Sequence, residues 1–185
     1  MIRSTNQAWA AGLRTVFLDR DGTLTVDPRS PKAVEELELA PGAWGSLAML
    51  KEAGFKLIMI TNQPDISRGN VSQKFVDCAN ASIMTKLSLD ASYVCPHSDK
   101  DKCECRKPRI GMFQQAAKDL NIDLKQSYMI GDSWRDVGAG VAAGCKTIWF
   151  RNILTPPGIH ALGAGPYQIV TSLMEAANWI LEDSK

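Results

Sequence analysis

The amino-acid sequence predicts a three-layer α/β/α fold, in which helices cover both faces of a mainly parallel β-sheet. Short apolar runs that end at polar residues alternate along the chain with longer segments of helical spacing. The runs are nearly continuous, which is typical of strands buried on both faces, and the alternation favours right-handed crossovers. A length of 185 residues fits one domain, residues 1–185.

Five apolar runs are predicted to form the main strands, because each is short and ends at polar residues. In chain order they are TVFLDRDG, FKLIMITNQ, ASYVCPH, SYMIGDS and CKTIWF. A stretch rich in Pro and Gly, residues 155–168, predicts a loop before a short edge strand at Ile169 and Val170.

Helical spacing of apolar residues predicts a helix between successive strands and one after the last main strand. These helices cover Ala43 to Ala53, Ser72 to Leu89, Met112 to Leu120, Trp134 to Ala143 and Leu173 to Leu181. Every connection except the loop before the edge strand therefore has a helix that could cover the sheet.

The composition indicates a globular protein whose function depends on local sites. Lys and Arg total 21 against 20 Asp and Glu. The net charge therefore creates no overall electrostatic field that would attract nucleic acid or an anionic membrane. No apolar run approaches the roughly 20 residues that span a bilayer, and the opening MIRSTNQAWAAGLR lacks the apolar core of a signal peptide. We therefore expect a cytoplasmic monomer that acts on a small molecule, with neither nucleic acid nor membrane as partner.

Polar residues follow three of the predicted strands, at the sheet edge where ligands of open α/β sheets collect. Asp19 and Asp21 follow the first strand, Thr61 and Asn62 the second, and Asp132 the fourth. Two carboxylates two residues apart on an extended chain point the same way, which costs electrostatic energy unless a cation lies beside them. Mg²⁺, which prefers oxygen ligands, is the natural candidate. The alternative is a simple turn, which Asp before Gly also favours.

Four short motifs, DRDGT, ITN, RKP and GDSWRD, occur in that order between about Thr15 and Phe150. They resemble the four motifs of the haloacid dehalogenase (HAD) superfamily of phosphohydrolases. The resemblance implies that the predicted fold is Rossmann-like (HAD-like), with a minimal cap. For Asp136, in the last motif, the sequence leaves two roles open, because this residue could assist the metal or simply cap its helix.

The resemblance implies a role for each matching position. Asp19 is then the nucleophile that attacks phosphorus and forms an aspartyl-phosphate, and Asp21 is first the general acid and then the base. Thr61 and Lys107 hold the phosphoryl oxygens. Catalytic Mg²⁺ is held by Asp19, Asp132 and the backbone carbonyl of Asp21. The cations are needed because an anionic phosphate must approach an ionised carboxylate.

Three cysteines and one histidine crowd into the segment CPHSDKDKCECRKP. The ligand set is suited to tetrahedral Zn²⁺ and comprises Cys95, His97, Cys103 and Cys105. Four protein ligands leave no position for water or substrate, so we expect a structural ion in the loop 95–105, which then positions Arg106 and Lys107 beside the phosphate. The alternative is a core thiol at Cys95 and an ordinary loop histidine.

The motifs CxH, CxC and RKP further resemble the histidinol-phosphatase-like subgroup, especially the D-glycero-D-manno-heptose 1,7-bisphosphate phosphatases. This resemblance implies removal of the 7-phosphate from that sugar bisphosphate. The expected substrate contacts are Asp27, Asn62, Gln63 and Arg106. Ser133 stands where the heptose enzymes commonly have Lys, so the sugar, its anomer and the preference for a bisphosphate stay open. Histidinol phosphate or another small phosphate ester is the alternative substrate.

Two functions of other classes are also compatible with parts of the pattern. A receiver-like phospho-acceptor uses a strand-end Asp, Mg²⁺ and a Lys, but it has no use for a general acid at Asp21. A zinc-stabilised binding protein without catalytic activity predicts no release of phosphate.

Overall fold

The computed structural model of this protein describes residues 12–26, 33–151 and 167–185. Within these ranges six strands form one parallel sheet: β1 (Thr15–Leu18), β2 (Lys56–Asn62), β3 (Ala91–Cys95), β4 (Tyr128–Gly131), β5 (Lys146–Phe150) and β6 (Gln168–Val170). Their spatial order is β3-β2-β1-β4-β5-β6, and every neighbouring pair is parallel. The predicted strands, including the edge strand, are confirmed.

Five α-helices connect or follow these strands in the described part of the chain: α1 (Ala43–Glu52), α2 (Gln73–Leu87), α3 (Gly111–Leu120), α4 (Trp134–Ala143) and α5 (Leu173–Asp183). All five predicted helices are confirmed. Helix α2 starts after Ser72, whose hydroxyl accepts a hydrogen bond from the backbone N–H of Phe75, and ends at Ser88 in the left-handed region. The predicted loop at 155–168 lies almost entirely outside the described residues.

Alternate residues of the strands face two separate apolar clusters, one on each side of the sheet. Val16 and Leu18 of β1 face a cluster that contains residues of α1, α2 and α5. Phe17 faces the opposite cluster, which is formed with α3 and α4. Because strand side chains alternate between faces, this arrangement confirms the three-layer α/β/α fold. None of the described helices combines the length and the apolar character needed to cross a membrane.

The strand order places β1 between β2 and β4, so the chain changes direction across the sheet at this point. The crossovers from β1 to β2 and β3 run one way, and those to β4, β5 and β6 run the other. In open α/β sheets such a switch leaves a crevice at the carboxyl ends of the strands, where ligands bind. Asp19 and Asp132 directly follow the two adjacent strands at this switch.

Close packing of α4 on the sheet depends on Gly140. A Cβ at this position would lie 2.5 Å from Cγ2 of Thr147 and 2.8 Å from Cβ of Met129. Gly140→Ala is therefore expected to lower the free energy of unfolding by about 1–3 kcal/mol, the usual cost of overpacking. Gly45→Ala in α1 is the control, because its Cβ would meet nothing nearer than Cε of Met174 at 4.0 Å.

The control should instead gain roughly 0.5–1 kcal/mol from helix propensity. Urea denaturation of both variants measures the difference. Equal stability of the two variants would contradict the packing argument.

Candidate active site and metal centre

The carboxyl ends of β1, β2 and β4 meet at one edge of the sheet and carry the predicted catalytic residues. Asp19 follows β1, Thr61 lies near the end of β2, and Asp132 follows β4. Lys107 reaches this edge from the loop between β3 and α3. Gly131 allows α4 to approach, because a Cβ there would lie 2.2 Å from the Cβ of Asp136. The side chains predicted to act together are therefore neighbours.

The ammonium group of Lys107 lies among these residues and is almost completely buried, at 2% exposure. Its Nζ donates hydrogen bonds to Oδ1 of Asp19 at 2.6 Å and to the backbone oxygen of Ile60 at 2.7 Å, and it pairs with Oδ1 of Asp136 at 2.6 Å. Burial alone would lower the pKa of Lys107, but the carboxylates of Asp136 and Asp19 outweigh burial and raise it. Lys107 therefore stays charged at neutral pH.

The two carboxylates that contact this ammonium belong to a group of three, because oxygens of Asp19, Asp132 and Asp136 lie within 4.8 Å of one another. Burial raises the pKa of Asp19 well above its ordinary value, and the nearby carboxylates raise it further while Lys107 opposes them. Three carboxylates against one ammonium leave an excess of negative charge. Because oxygen is the ligand atom that Mg²⁺ prefers, this donor set fits a magnesium ion.

Asp136 has two structural roles, of which the sequence suggests one. Its Oδ2 accepts hydrogen bonds from the backbone N–H of Ser133 at 3.0 Å and from the Ser133 hydroxyl at 2.5 Å, which caps α4. Its Oδ1 forms the ion pair with Lys107. One carboxylate therefore fixes both the start of α4 and the position of Lys107.

The side chain of Asp21 is not part of the three-carboxylate group and is held by two other side chains. The guanidinium of Arg20 donates from Nε to Oδ1 at 2.8 Å and from Nη2 to Oδ2 at 3.0 Å. Nε2 of Gln63 donates to Oδ2 at 2.7 Å and also to Oγ1 of Thr61 at 2.9 Å. The metal contact expected for the backbone carbonyl of Asp21 stays a prediction.

The residues predicted to contact substrate differ in their surroundings. Nδ2 of Asn62 donates to the backbone oxygen of Lys107 at 3.1 Å, and its Oδ1 accepts from the Lys107 N–H at 3.0 Å. Asn62 therefore holds the backbone of Lys107. Asp27 lies outside the described residues. Substrate contacts by Asn62, Gln63 and Asp27 stay predictions.

The predicted zinc ligands converge on one point. The sulfurs of Cys95, Cys103 and Cys105 are 3.2–3.6 Å apart, and Nδ1 of His97 lies 3.7 Å from Cys95 and 3.3 Å from Cys105. Around a tetrahedral ion with Zn–S of about 2.3 Å and Zn–N of about 2.0 Å, such atoms lie about 3.8 and 3.5 Å apart. Burial raises the pKa of Cys95, and a bound divalent cation would favour its thiolate. The four residues therefore fit a closed zinc site.

This cluster is joined through Arg106 to the loop that carries Lys107. Nη1 of Arg106 donates to the backbone oxygen of His97 at 3.2 Å, and its Nε donates to Oδ1 of Asp99 at 2.8 Å. Lys107 is the next residue in the chain, and Cys105 precedes Arg106. The cysteine cluster therefore lies where it can fix both cations, although contact of Arg106 with substrate stays a prediction.

Two residues at the site are missed by the reasoning from sequence. Arg20 is buried at 5% exposure between the two aspartates of DRD, although a basic residue in a turn is usually solvated. Asn80, in the middle of α2, accepts a hydrogen bond from Nη1 of Arg20 at 3.0 Å. A polar residue on the core side of the predicted helix is the signal that could have pointed to Asn80.

Known proteins resemble this chain in sequence and in structure. The HAD-hydrolase-like family profile matches residues 104–176. The D-glycero-beta-D-manno-heptose-1,7-bisphosphate 7-phosphatase of Haemophilus ducreyi is 41% identical over 148 residues, which cover 74% of this chain and 81% of that protein. The protein of the same name from Haemophilus influenzae is 36% identical and covers 82% of this chain and 86% of its own length.

A solved structure is similar over nearly the whole chain. It is the crystal structure of D,D-heptose 1,7-bisphosphate phosphatase from B. bronchiseptica, in complex with magnesium and phosphate. The TM-score is 0.80 at 29% identity, and the match covers 92% of this chain and 99% of that one.

Replacement of Lys107 by Met is expected to destabilise the protein strongly, because it leaves the carboxylates of Asp19 and Asp136 buried without their cation. Removal of one partner from a buried ion pair typically costs about 3–5 kcal/mol. Lys146→Met is the matched control: Lys146 pairs with Asp183 at the same 2.6 Å, but both side chains are partly exposed. Exposed pairs contribute about 0–1 kcal/mol. Chemical denaturation of both variants in metal-free buffer measures the costs, and similar costs would argue against a special role for Lys107.

Proposed function

This chain belongs to the D-glycero-beta-D-manno-heptose-1,7-bisphosphate 7-phosphatase family of HAD-like hydrolases, and we propose that it removes the 7-phosphate of D-glycero-D-manno-heptose 1,7-bisphosphate. The observation that carries this proposal is the buried ammonium of Lys107, which joins the carboxylates of Asp19 and Asp136 at the switch point of the sheet. Such a group can receive an anionic phosphate beside a carboxylate nucleophile.

Asp19 is the nucleophile in the proposed reaction. One of its carboxylate oxygens attacks phosphorus, the bond from phosphorus to the sugar oxygen breaks, and an aspartyl-phosphate forms. Lys107 offsets the repulsion between the two anions, and the hydroxyl of Thr61 donates to a phosphoryl oxygen. Asp19, Asp132 and the backbone carbonyl of Asp21 would hold Mg²⁺, which supplies further positive charge when bound.

Asp21 transfers the proton in both halves of the reaction. Its carboxyl group gives a proton to the sugar oxygen as that oxygen leaves phosphorus. The resulting carboxylate then takes a proton from the water molecule that attacks the aspartyl-phosphate. Inorganic phosphate and the sugar hydroxyl are released, Asp19 is restored as a carboxylate, and Asp21 regains its proton.

We further propose that Zn²⁺ is held by the four-residue cysteine cluster and has a structural role. Four protein ligands complete a tetrahedral coordination sphere, so no position remains for substrate. The ion would fix a polar loop and, through the bond from Arg106 to the His97 carbonyl, the start of the catalytic segment. A cytoplasmic location and a monomeric state remain predictions from the sequence.

Asp19→Asn is expected to reduce phosphate release to the background rate while the protein stays folded, because an amide cannot act as the nucleophile. The measurement is steady-state phosphate release with Mg²⁺ from both anomers of heptose 1,7-bisphosphate and from histidinol phosphate. Asp119→Asn, an exposed carboxylate of α3, is the matched control and should keep full activity.

A strong preference for one heptose anomer would support the proposed substrate. A preference for histidinol phosphate would replace that substrate and leave the phosphatase chemistry in place. Absence of turnover on every ester, or an Asp19→Asn variant as active as the control, would contradict the proposed reaction and favour a binding protein.

Cys103→Ser should lower both the zinc content and the melting temperature, because a serine hydroxyl is a poor replacement for a thiolate ligand. Cys78→Ser is the matched control, since Cys78 is exposed on α2 and distant in sequence from the cluster. Metal analysis and thermal denaturation measure the two quantities. Partial removal of zinc from the wild-type protein should also raise KM for the sugar phosphate before the core unfolds. A Cys103→Ser variant that is fully stable and keeps its zinc would refute the proposed site.

A further inference from the structure

Asp21 is held in one orientation by a chain of hydrogen bonds that extends away from the phosphate site. Arg20 contacts both of its carboxylate oxygens through a two-pronged interaction, which fixes a carboxylate more rigidly than a single bond does. Arg20 itself is 5% exposed. The orientation of the Asp21 carboxylate therefore depends on what holds the guanidinium of Arg20 in place.

Helix α2 supplies that support. The third guanidinium nitrogen, Nη1 of Arg20, donates to Oδ1 of Asn80 at 3.0 Å, and Asn80 is 4% exposed. The backbone of Arg20 is also fixed, because its carbonyl accepts hydrogen bonds from the N–H and the hydroxyl of Thr25. The backbone of Arg20 is thus held by the turn that ends at Thr25, and its guanidinium is held by α2. No other residue of α2 takes part in the reaction described above.

Gln63 completes the arrangement from the opposite direction. Its Nε2 has two hydrogens, and they are directed to Oδ2 of Asp21 and to Oγ1 of Thr61. Among the described residues, Oδ2 of Asp21 therefore accepts two hydrogen bonds and Oδ1 accepts one. Since a carboxylate oxygen has two lone pairs, Oδ1 is the oxygen better placed to exchange a proton with the leaving group or with water.

We propose that Arg20 is a positioning residue for the proton transfers of Asp21, and that Asn80 of α2 and Gln63 fix the geometry on either side of it. This inference rests on the proposed phosphatase reaction, in which Asp21 is acid and base. Arg20 acts through the carboxylate of Asp21, and the proposal assigns it no contact with the phosphate or with the leaving oxygen. Its loss should therefore affect the steps in which a proton moves and spare the attack of Asp19 on an ester that needs no protonation.

Two substrates separate these steps. The sugar phosphate needs a proton on its leaving oxygen, so formation of the aspartyl-phosphate depends on Asp21. In p-nitrophenyl phosphate the leaving group departs as a stable anion, so the same step does not need the acid. Hydrolysis of the aspartyl-phosphate requires Asp21 as base with either substrate. A variant with a misplaced Asp21 should therefore release one equivalent of nitrophenolate rapidly and then turn over slowly.

The test compares wild-type protein with Arg20→Lys, which keeps the positive charge and loses the bidentate contact with Asp21. Arg14→Lys is the matched control: Arg14 lies at the other end of β1 and donates to the carbonyls of Ala53 and Ser184. General acid–base catalysis contributes about 10²–10⁴-fold, so misplacement should lower kcat for heptose 1,7-bisphosphate by roughly 10- to 100-fold. KM and the rate of the nitrophenolate burst should stay near the wild-type values, and the control should behave as wild type.

A loss of the burst in proportion to kcat, or a rise in KM without a fall in kcat, would overturn the proposal, because either outcome indicates a general disturbance of the site. Thermal denaturation shows whether Arg20→Lys is folded. If it is not, Asn80→Ala should give the same pattern more weakly, and an unchanged kcat in that variant would refute support by α2. Absence of phosphate release by the wild-type protein would instead contradict the proposed function.

Discussion

The site depends on one buried ammonium, that of Lys107. Asp19, Asp132 and Asp136 are close enough to repel one another, and burial makes the ionised form of Asp19 more costly. Lys107 offsets part of this cost through its contacts with Asp19 after β1, with Ile60 of β2 and with Asp136 of α4. The same charge therefore joins three separate elements of the fold at the carboxyl ends of the strands.

Polar side chains at the end of β2 contact two different parts of the site. Side chains alternate along a strand, so Thr61 and Gln63 face one way and Asn62 faces the other. The amide of Gln63 bridges Thr61 and Asp21, whereas the amide of Asn62 holds the backbone of Lys107. Three consecutive residues therefore fix the side chain of Asp21 on one side and the backbone of Lys107 on the other.

The sequence predicts the layers and the strands from the hydrophobic period and the turn residues. It predicts the cysteine cluster from the spacing of its four residues, and the proximity of Asp19 and Asp132 from their positions at the ends of strands. It does not predict the contacts of Arg20, because its partner Asn80 is 60 residues away, and a polar residue on the core side of a helix does not reveal which distant group it contacts. Asn62 illustrates the same limit. Its position after β2 indicates a site residue, but whether its amide meets substrate or backbone depends on where the loop carrying Lys107 returns.

Ser133 can be understood from the double role of Asp136. The heptose phosphatases that the sequence resembles commonly have Lys at this position, which would bring a second cation to the mouth of the site. Ser133 instead gives Oδ2 of Asp136 a hydroxyl donor in addition to its backbone N–H. Because Oδ2 is satisfied by the helix cap, Oδ1 remains directed at Lys107. The hydroxyl of Ser133 therefore adds one hydrogen bond to those that fix Asp136. Any positive charge that Lys would have brought to the substrate must come from another residue of this chain.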